Sequence, residues 1–201
     1  MPKPYNPNDH YFRKAKKEGF RARSAFKLSE ILQKHKVIER GDTVVDLGAA
    51  PGSFLQEIAR NVGEKGKAIG FDLQEIEKFR EPHIYTFVAD IFDETKIAEC
   101  LKTLGIRKCN VITADLAPKT TGIKDIDQAR SVELNEGVLE IAKTFLKKNG
   151  SIITKIFRGG DFDSFLLEIK KHFEKVSCHK PKACRDRSRE IYLICQKFLV
   201  E

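Results

Sequence analysis

Several signatures that would assign this chain to a class at once are missing from it. No run approaches the roughly 18 apolar residues needed to cross a bilayer, so no membrane-spanning helix is expected. The first 19 residues carry charge without an apolar core, which argues against a secretory leader, and Pro2, Pro4, Pro7 and Asp9 disfavour a mitochondrial presequence. Five cysteines (Cys100, Cys109, Cys178, Cys184, Cys195) form no C-x-x-C pair, and His10, His35, His83, His172 and His179 fall at no metal-ligand spacing. Zinc is therefore not expected, and the thiols read as reduced, as in a cytoplasmic protein. The dinucleotide fingerprint G-x-G-x-x-G and the Walker Gly-Lys-Ser/Thr are both absent, and no linker or internal repeat divides the 201 residues. At about 150 residues per domain that length describes one domain with a substantial core.

What is present is concentrated at 43–54. Residues 43–47 are apolar and β-branched, as in a buried parallel strand. The run breaks at Gly48, passes through Pro51 and Gly52, and resumes as a helix at Phe54. Strand, glycine turn and helix open a βαβ unit. In open α/β sheets the ligand lies outside the carboxyl ends of the strands, where a turn short of side chains lets the backbone approach it. Pro51 removes an amide that a pyrophosphate would use, so a less anionic ligand is favoured. Strands at 67–71, 84–89 and 110–114 end at or beside Asp72, Asp90 and Asp115, as the first does at Asp46. One such Asp is a turn former or helix cap. Four in phase with the strands favour a nucleoside-like ligand, with Asp72 placed to meet a ribose diol.

The net charge of +8 is uneven. Residues 1–27 and 175–189 together carry +11, leaving the remaining body at −3. A single charged run is usually a solvated face; two basic runs flanking the proposed site favour a polyanion, with Tyr5, Tyr11, Phe12 and Phe20 available to stack on bases. Lys14, Lys16, Lys17, Arg21, Arg23, Lys182, Arg185 and Arg187 are the candidate phosphate contacts. Three prolines and no sustained periodicity predict a flexible basic arm over 1–20, followed by a single domain over 21–201 that acts as a monomer.

The spacing predicts helices at 24–35 with Ser24 as N-cap, 54–61, 94–104, 125–148 and 162–172. Gly105 and Gly150 are stop signals, and Asp161 and Asp163 cap the last helix. A fifth strand at 151–157 and a hairpin of 174–179 with 190–196 complete a doubly wound α/β sheet with an antiparallel edge. Lys27 lies in a helix first turn, a poor place for a cation. Lys155 lies within an apolar strand, where an unpaired ammonium is disfavoured. Lys155 could be a strand-edge lysine that blunts aggregation, and Glu190 could simply pair with Arg187 or Arg189.

Arg23-Ser24-Ala25-Phe26-Lys27-Leu28, Asp46-Leu47-Gly48-Ala49-Ala50-Pro51-Gly52, Asp115-Leu116-Ala117-Pro118, Thr154-Lys155-Ile156-Phe157 and Ser188-Arg189-Glu190-Ile191-Tyr192 resemble, in order and spacing, the FtsJ/RrmJ (RlmE-like) family of S-adenosylmethionine-dependent RNA 2′-O-ribose methyltransferases. The resemblance runs from residue 21 to 197. It implies a Rossmann-like class I methyltransferase fold with a seven-stranded sheet. It implies cofactor contacts at Gly52, Phe54, Asp72, Asp90 and Asp115, with Gly48 and Pro51 in the same turn. It also implies a catalytic tetrad of Lys27, Asp115, Lys155 and Glu190, led by Lys155. The turn reads Gly52-Ser53-Phe54 where the family commonly has Gly-Gly-Trp, so an aromatic face remains without the indole donor. The implied reaction methylates a uridine of large-subunit (23S-type) ribosomal RNA and releases S-adenosylhomocysteine, with no metal. Transfer RNA is the alternative substrate, and a non-catalytic ribosome-assembly factor is the alternative of another class. A small-molecule methyltransferase is disfavoured by the basic flanks.

Overall fold

The computed structural model describes residues 10–184 and 188–200. Its strands are β1 (Thr43–Leu47), β2 (Lys67–Asp72), β3 (Ile84–Val88), β4 (Cys109–Ala114), β5 (Leu146–Phe157), β6 (Phe173–His179) and β7 (Glu190–Phe198). They form one sheet in the order β3-β2-β1-β4-β5-β7-β6. The first five are parallel, and β7 runs antiparallel to both of its neighbours. β7 therefore lies one place in from the edge rather than at it. Its residues Ile191 to Cys195 are buried without a break, which requires cover on both faces and both sides, whereas β6 is largely exposed or half-buried and suits an edge.

The helices among the described residues are α1 (His10–Lys17), which packs on α2, and α2 (Ala25–His35), α3 (Ser53–Val62), α4 (Glu94–Thr103), α5 (Lys124–Phe145) and α6 (Phe162–Ile169), which cover the two faces. The pleat decides which helix each strand residue meets. Val44, Ala68, Val111 and Ile153 pack with Leu28 and Ile31 of α2 and Leu55 and Ile58 of α3. Their neighbours Val45, Ile69, Ile112 and Ile152 pack with Ile97 of α4, Val138 of α5 and Phe165 of α6. The chain moves outward from β1 through β2 and β3, then returns to β4 on the other side of β1. The crevice for a ligand thus lies at the carboxyl ends of β1 and β4, where Leu47 pairs with Ala114.

Four expectations change. Residues 10–17, expected within a flexible arm, form α1. α1 is a helix whose Ala15 is buried, and Tyr11 and Phe20 pack on Phe26 at centroid distances of 5.8 and 5.4 Å instead of standing free for bases. Residues 1–9, with Tyr5, lie outside the described residues. Ser24 holds the N-cap position of α2, but its hydroxyl makes no cap; it hydrogen-bonds the Ser53 hydroxyl at 2.7 Å and ties the starts of α2 and α3 together. Asp161 likewise precedes α6 without a side-chain cap, and Asp163 lies in its first turn. Gly105, with φ of 69°, follows the end of α4 as expected. Gly150 does not stop α5, which ends at Phe145 because Phe145 and Leu146 turn into the core and β5 begins there.

Candidate active site

The turn after β1 brings backbone where side chains would block it. Gly48 has φ of 72°, and a Cβ there would lie 2.3 Å from Leu116 Cδ2. Gly52, at φ of 104°, opens α3. Only glycine takes these angles without strain beside such close neighbours. Asp72 at the end of β2 accepts hydrogen bonds from the Ala50 and Gln74 amides, both at 2.9 Å, so it fixes the turn while remaining half-exposed to the crevice. Asp90 stands exposed two residues past β3, accepting from the Phe92 amide at 3.0 Å. Phe54 is 3% exposed and packs in the α2–α3 core.

Asp46 carries the clearest electrostatic signal. It is 1% exposed; Thr113 donates to Oδ1 at 2.6 Å, while the buried Oδ2 has no partner among the described residues. Burial, reinforced by the Asp115 and Asp72 charges against the Thr113 bond, pushes its pKa up to about 8. A cationic methyl donor fits this edge: glycines clear the backbone, Asp72 and Asp90 offer acceptors to a nucleoside, and an orphaned acidic oxygen lies beneath the turn.

Across the crevice the four predicted catalytic side chains meet. Asp115 follows β4, and its Oδ1 accepts Lys155 Nζ at 2.9 Å and Tyr192 Oη at 2.6 Å, with Lys27 Nζ at 4.0 Å. Lys155 Nζ also donates to the Asp115 carbonyl at 2.9 Å, so two of its tetrahedral positions are taken and another is left for a substrate. Lys27, from the first turn of α2, pairs with Glu190 Oε1 at 2.8 Å. Burial opposes the charge on Lys27, but Asp115 and Glu190 outweigh it and raise its pKa, so this residue stays cationic. For Glu190, burial is likewise overridden, by the Lys27 charge and hydrogen bonds from Cys184 and Lys27, and the pKa falls to about 2. Lys27 thus answers its unfavourable helix position through two carboxylates. Glu190 is held by Lys27, and Arg187, one of the two arginines offered as its partner, lies outside the described residues.

Three contributors escaped the sequence reading. Tyr192 pairs with Lys155 across β5 and β7 and shares a face with Glu190, a period-two signal that was available. Cys184, pushed up to about 12 chiefly by burial, remains a thiol and donates to Glu190. Asn135 of α5 is 1% exposed; it donates to the Lys155 carbonyl at 2.9 Å and accepts from Thr154 Oγ1 at 2.7 Å, clamping the strand that carries Lys155. A polar residue on the apolar face of a long helix was its trace in the sequence.

Parts of the two basic runs meet. Ala183 joins Ala15, Phe20, Ala25 and Phe26 in a small cluster, and Arg23 donates to the Ala183 carbonyl. Lys14, Lys16, Lys17 and Lys182 are exposed around it, with Lys14 near Glu18 at 3.8 Å. Arg21 turns away from this surface and donates to the carbonyls of Pro51, Glu77 and Lys78. Arg185 and Arg187 lie outside the described residues. Lys124, Arg158 and Arg189 were not foreseen as contacts. They gather on the other face of the sheet edge, where the Arg158 amide donates to the Arg189 carbonyl at 3.1 Å and Arg189 to the Lys124 carbonyl at 3.3 Å.

Comparison with known proteins agrees with this arrangement. The model of the FtsJ-like methyltransferase family matches residues 20–198. Proteins named ribosomal RNA large subunit methyltransferase E are similar over nearly the whole chain. That of Myxococcus xanthus is 44% identical over 96% of this chain and 91% of its own, and that of Bdellovibrio bacteriovorus is 45% identical over 94% and 96%. Among solved structures, a ribosomal RNA methyltransferase of Plasmodium falciparum matches with a TM-score of 0.81 and 27% identity, over 90% of this chain and 100% of that one. The fibrillarin of Aeropyrum pernix, solved with natively bound S-adenosyl-L-methionine, matches in fold alone, with a TM-score of 0.60 and 16% identity over 86% and 76%. Matched by that family model over residues 20–198 and by these relatives over nearly its whole length, this chain belongs to the FtsJ-like methyltransferase family.

Proposed function

We propose that this protein methylates a ribose 2′-hydroxyl, that of a uridine in large-subunit ribosomal RNA, using S-adenosylmethionine. The observation that carries the reading is the joining of Lys27, Asp115, Lys155 and Glu190 beside the glycine turn, from four separate elements of one sheet edge. When bound, S-adenosylmethionine supplies a methyl carbon on a positively charged sulfur and leaves as S-adenosylhomocysteine. Gly48, Gly52, Asp72 and Asp90 are the residues that would hold it.

The protein's own part is positioning and charge. As base, Lys155 Nζ reacts as the amine: its two N–H groups rest on two oxygens of Asp115, and its lone pair is left for the 2′-hydroxyl, whose proton it takes as the methyl arrives. Tyr192 donates to the same Asp115 Oδ1 and so fixes the carboxylate that holds Lys155. Lys27 remains cationic at neutral pH and stabilises negative charge developing on the ribose oxygen, while Glu190 keeps it in place. Cations on both faces of the edge, exposed Lys14, Lys16, Lys17 and Lys182 on one and exposed Lys124 and Arg158 with half-buried Arg189 on the other, suit phosphates on either side of the target nucleotide.

The test is transfer of labelled methyl from S-adenosylmethionine to purified ribosomal subunits, with total transfer RNA in parallel. Label in large-subunit RNA is expected at a linkage that resists alkaline cleavage. Lys155→Ala is expected to lower kcat/KM by about 10² to 10⁴ while S-adenosylhomocysteine still binds. Label on transfer RNA alone would move the substrate and keep the chemistry. Cofactor binding without transfer to either RNA would overturn the reading.

A further inference from the structure

Arg21 belongs by position to the basic N-terminal run, yet its side chain is spent inside the protein. Nη1 donates to the Pro51 carbonyl at 3.0 Å and to the Glu77 carbonyl at 2.8 Å, and Nη2 donates to the Lys78 carbonyl at 3.0 Å. The guanidinium plane lies 3.7 Å from the Phe79 ring centroid. Its backbone amide donates to Gln56 Oε1 at 2.8 Å, and Gln56 Nε2 donates in turn to the Gly19 carbonyl at 2.9 Å, docking this segment on α3. The site over Gly52 is filled by the same pair: a Cβ on Gly52 would lie 2.5 Å from Phe79 Cζ and 3.1 Å from Arg21 Nη1.

These contacts close a circuit. Asp72 holds the Ala50 and Gln74 amides, which begin the two segments that Arg21 holds further along, at Pro51 and at Glu77 and Lys78. Residues 73–80 contain no helix or strand. Their carbonyls have no ladder to join, and a fork with donors in one plane can bridge several of them at once. A lysine ammonium lacks both the plane and the stacking face.

Resting on the methyl-donor reading above, we propose that Arg21 is a positioning residue for the cofactor cleft. It sets the separation between the glycine turn and segment 73–80, and so the width of the crevice that receives the nucleoside end of the methyl donor. Phe79 is the platform on which it is stacked, and Arg21 does not bind RNA phosphate.

Three measurements on wild type, Arg21→Lys, Arg21→Ala and Phe79→Leu test this: calorimetric affinity for S-adenosylhomocysteine, affinity for a large-subunit RNA fragment across a salt series, and hydrogen exchange of amides 73–80 without ligand. For both Arg21 variants the expected result is about tenfold weaker S-adenosylhomocysteine binding and faster exchange at 73–80, with RNA affinity and its salt slope unchanged. Arg21→Lys keeps the charge, so its failure to rescue separates geometry from electrostatics. If Arg21→Ala does not fold, Phe79→Leu carries the test with a smaller loss of the same kind. Unchanged S-adenosylhomocysteine affinity, or weaker RNA binding with a flatter salt slope, overturns the proposal. Wild type that binds RNA but no S-adenosylhomocysteine would instead remove the methyl-donor reading, and the proposal with it.

Discussion

Asp46 shows how a single residue can trade stability for a site. Its folded pKa is raised from 3.8 to about 8 by burial, so the folded state holds its proton more tightly than the unfolded chain does. The stability linked to that proton is complete below about pH 4 and is lost as pH rises through about 8. Asp46→Asn keeps the shape and the Thr113 contact without the titration. Its melting temperature relative to wild type is expected to climb by several degrees between pH 4 and pH 8 and to level off above; a constant difference across that range would reject the account. The sequence made Asp46 legible as one of four strand-end acids, and family resemblance assembled Lys27, Asp115, Lys155 and Glu190 before any coordinates. It did not reveal that Phe54 is buried, because an aromatic after a glycine turn reads the same whether it faces a ligand or the core. Nor did it separate Arg21 from the lysines before it: net charge does not report which guanidinium finds carbonyls at 2.8 to 3.0 Å.

At the scale of elements, strand positions were readable and strand ends less so. Thr43–Leu47 matched its apolar run, whereas β5 starts at Leu146, because Phe145 and Leu146 enter the core and leave Lys147 to Asn149 exposed between core-facing stretches. α1 was missed for a related reason. Its eight residues bury Ala15 alone, too little apolar surface for a periodic signal and too short to be stable by itself. Cover comes from Phe20, Phe26 and the distant Ala183, and distance in sequence hides that partnership. The helix ends in Lys14, Lys16 and Lys17, which suits its dipole and presents cations at one tip. Lys16→Ala and Lys17→Ala are therefore expected to weaken RNA binding and to reduce the salt slope by about 1 each, without moving the melting temperature. A slope equal to that of wild type in both would remove α1 from the phosphate-binding surface.

For the whole molecule, the central fact is that the last strand is not the last in space. β7 enters between β5 and β6 and supplies Glu190 and Tyr192 to the centre begun by Lys27. A chain shortened before residue 190 should not behave as a mere loss-of-activity variant. Its circular dichroism is expected to lack a cooperative melt, because β5 would expose an unpaired apolar edge and β6 would lose the strand it pairs with. A cooperative melt within a few degrees of wild type would disprove this. The same arrangement bears on biosynthesis. While the chain is being made, the cofactor turn and Lys155 emerge well before their partners on β7, and nothing can be methylated until the final strand has been released and inserted. Activity thus waits for β7, and a product broken off before it exposes unpaired strand edges instead of passing as a weak enzyme.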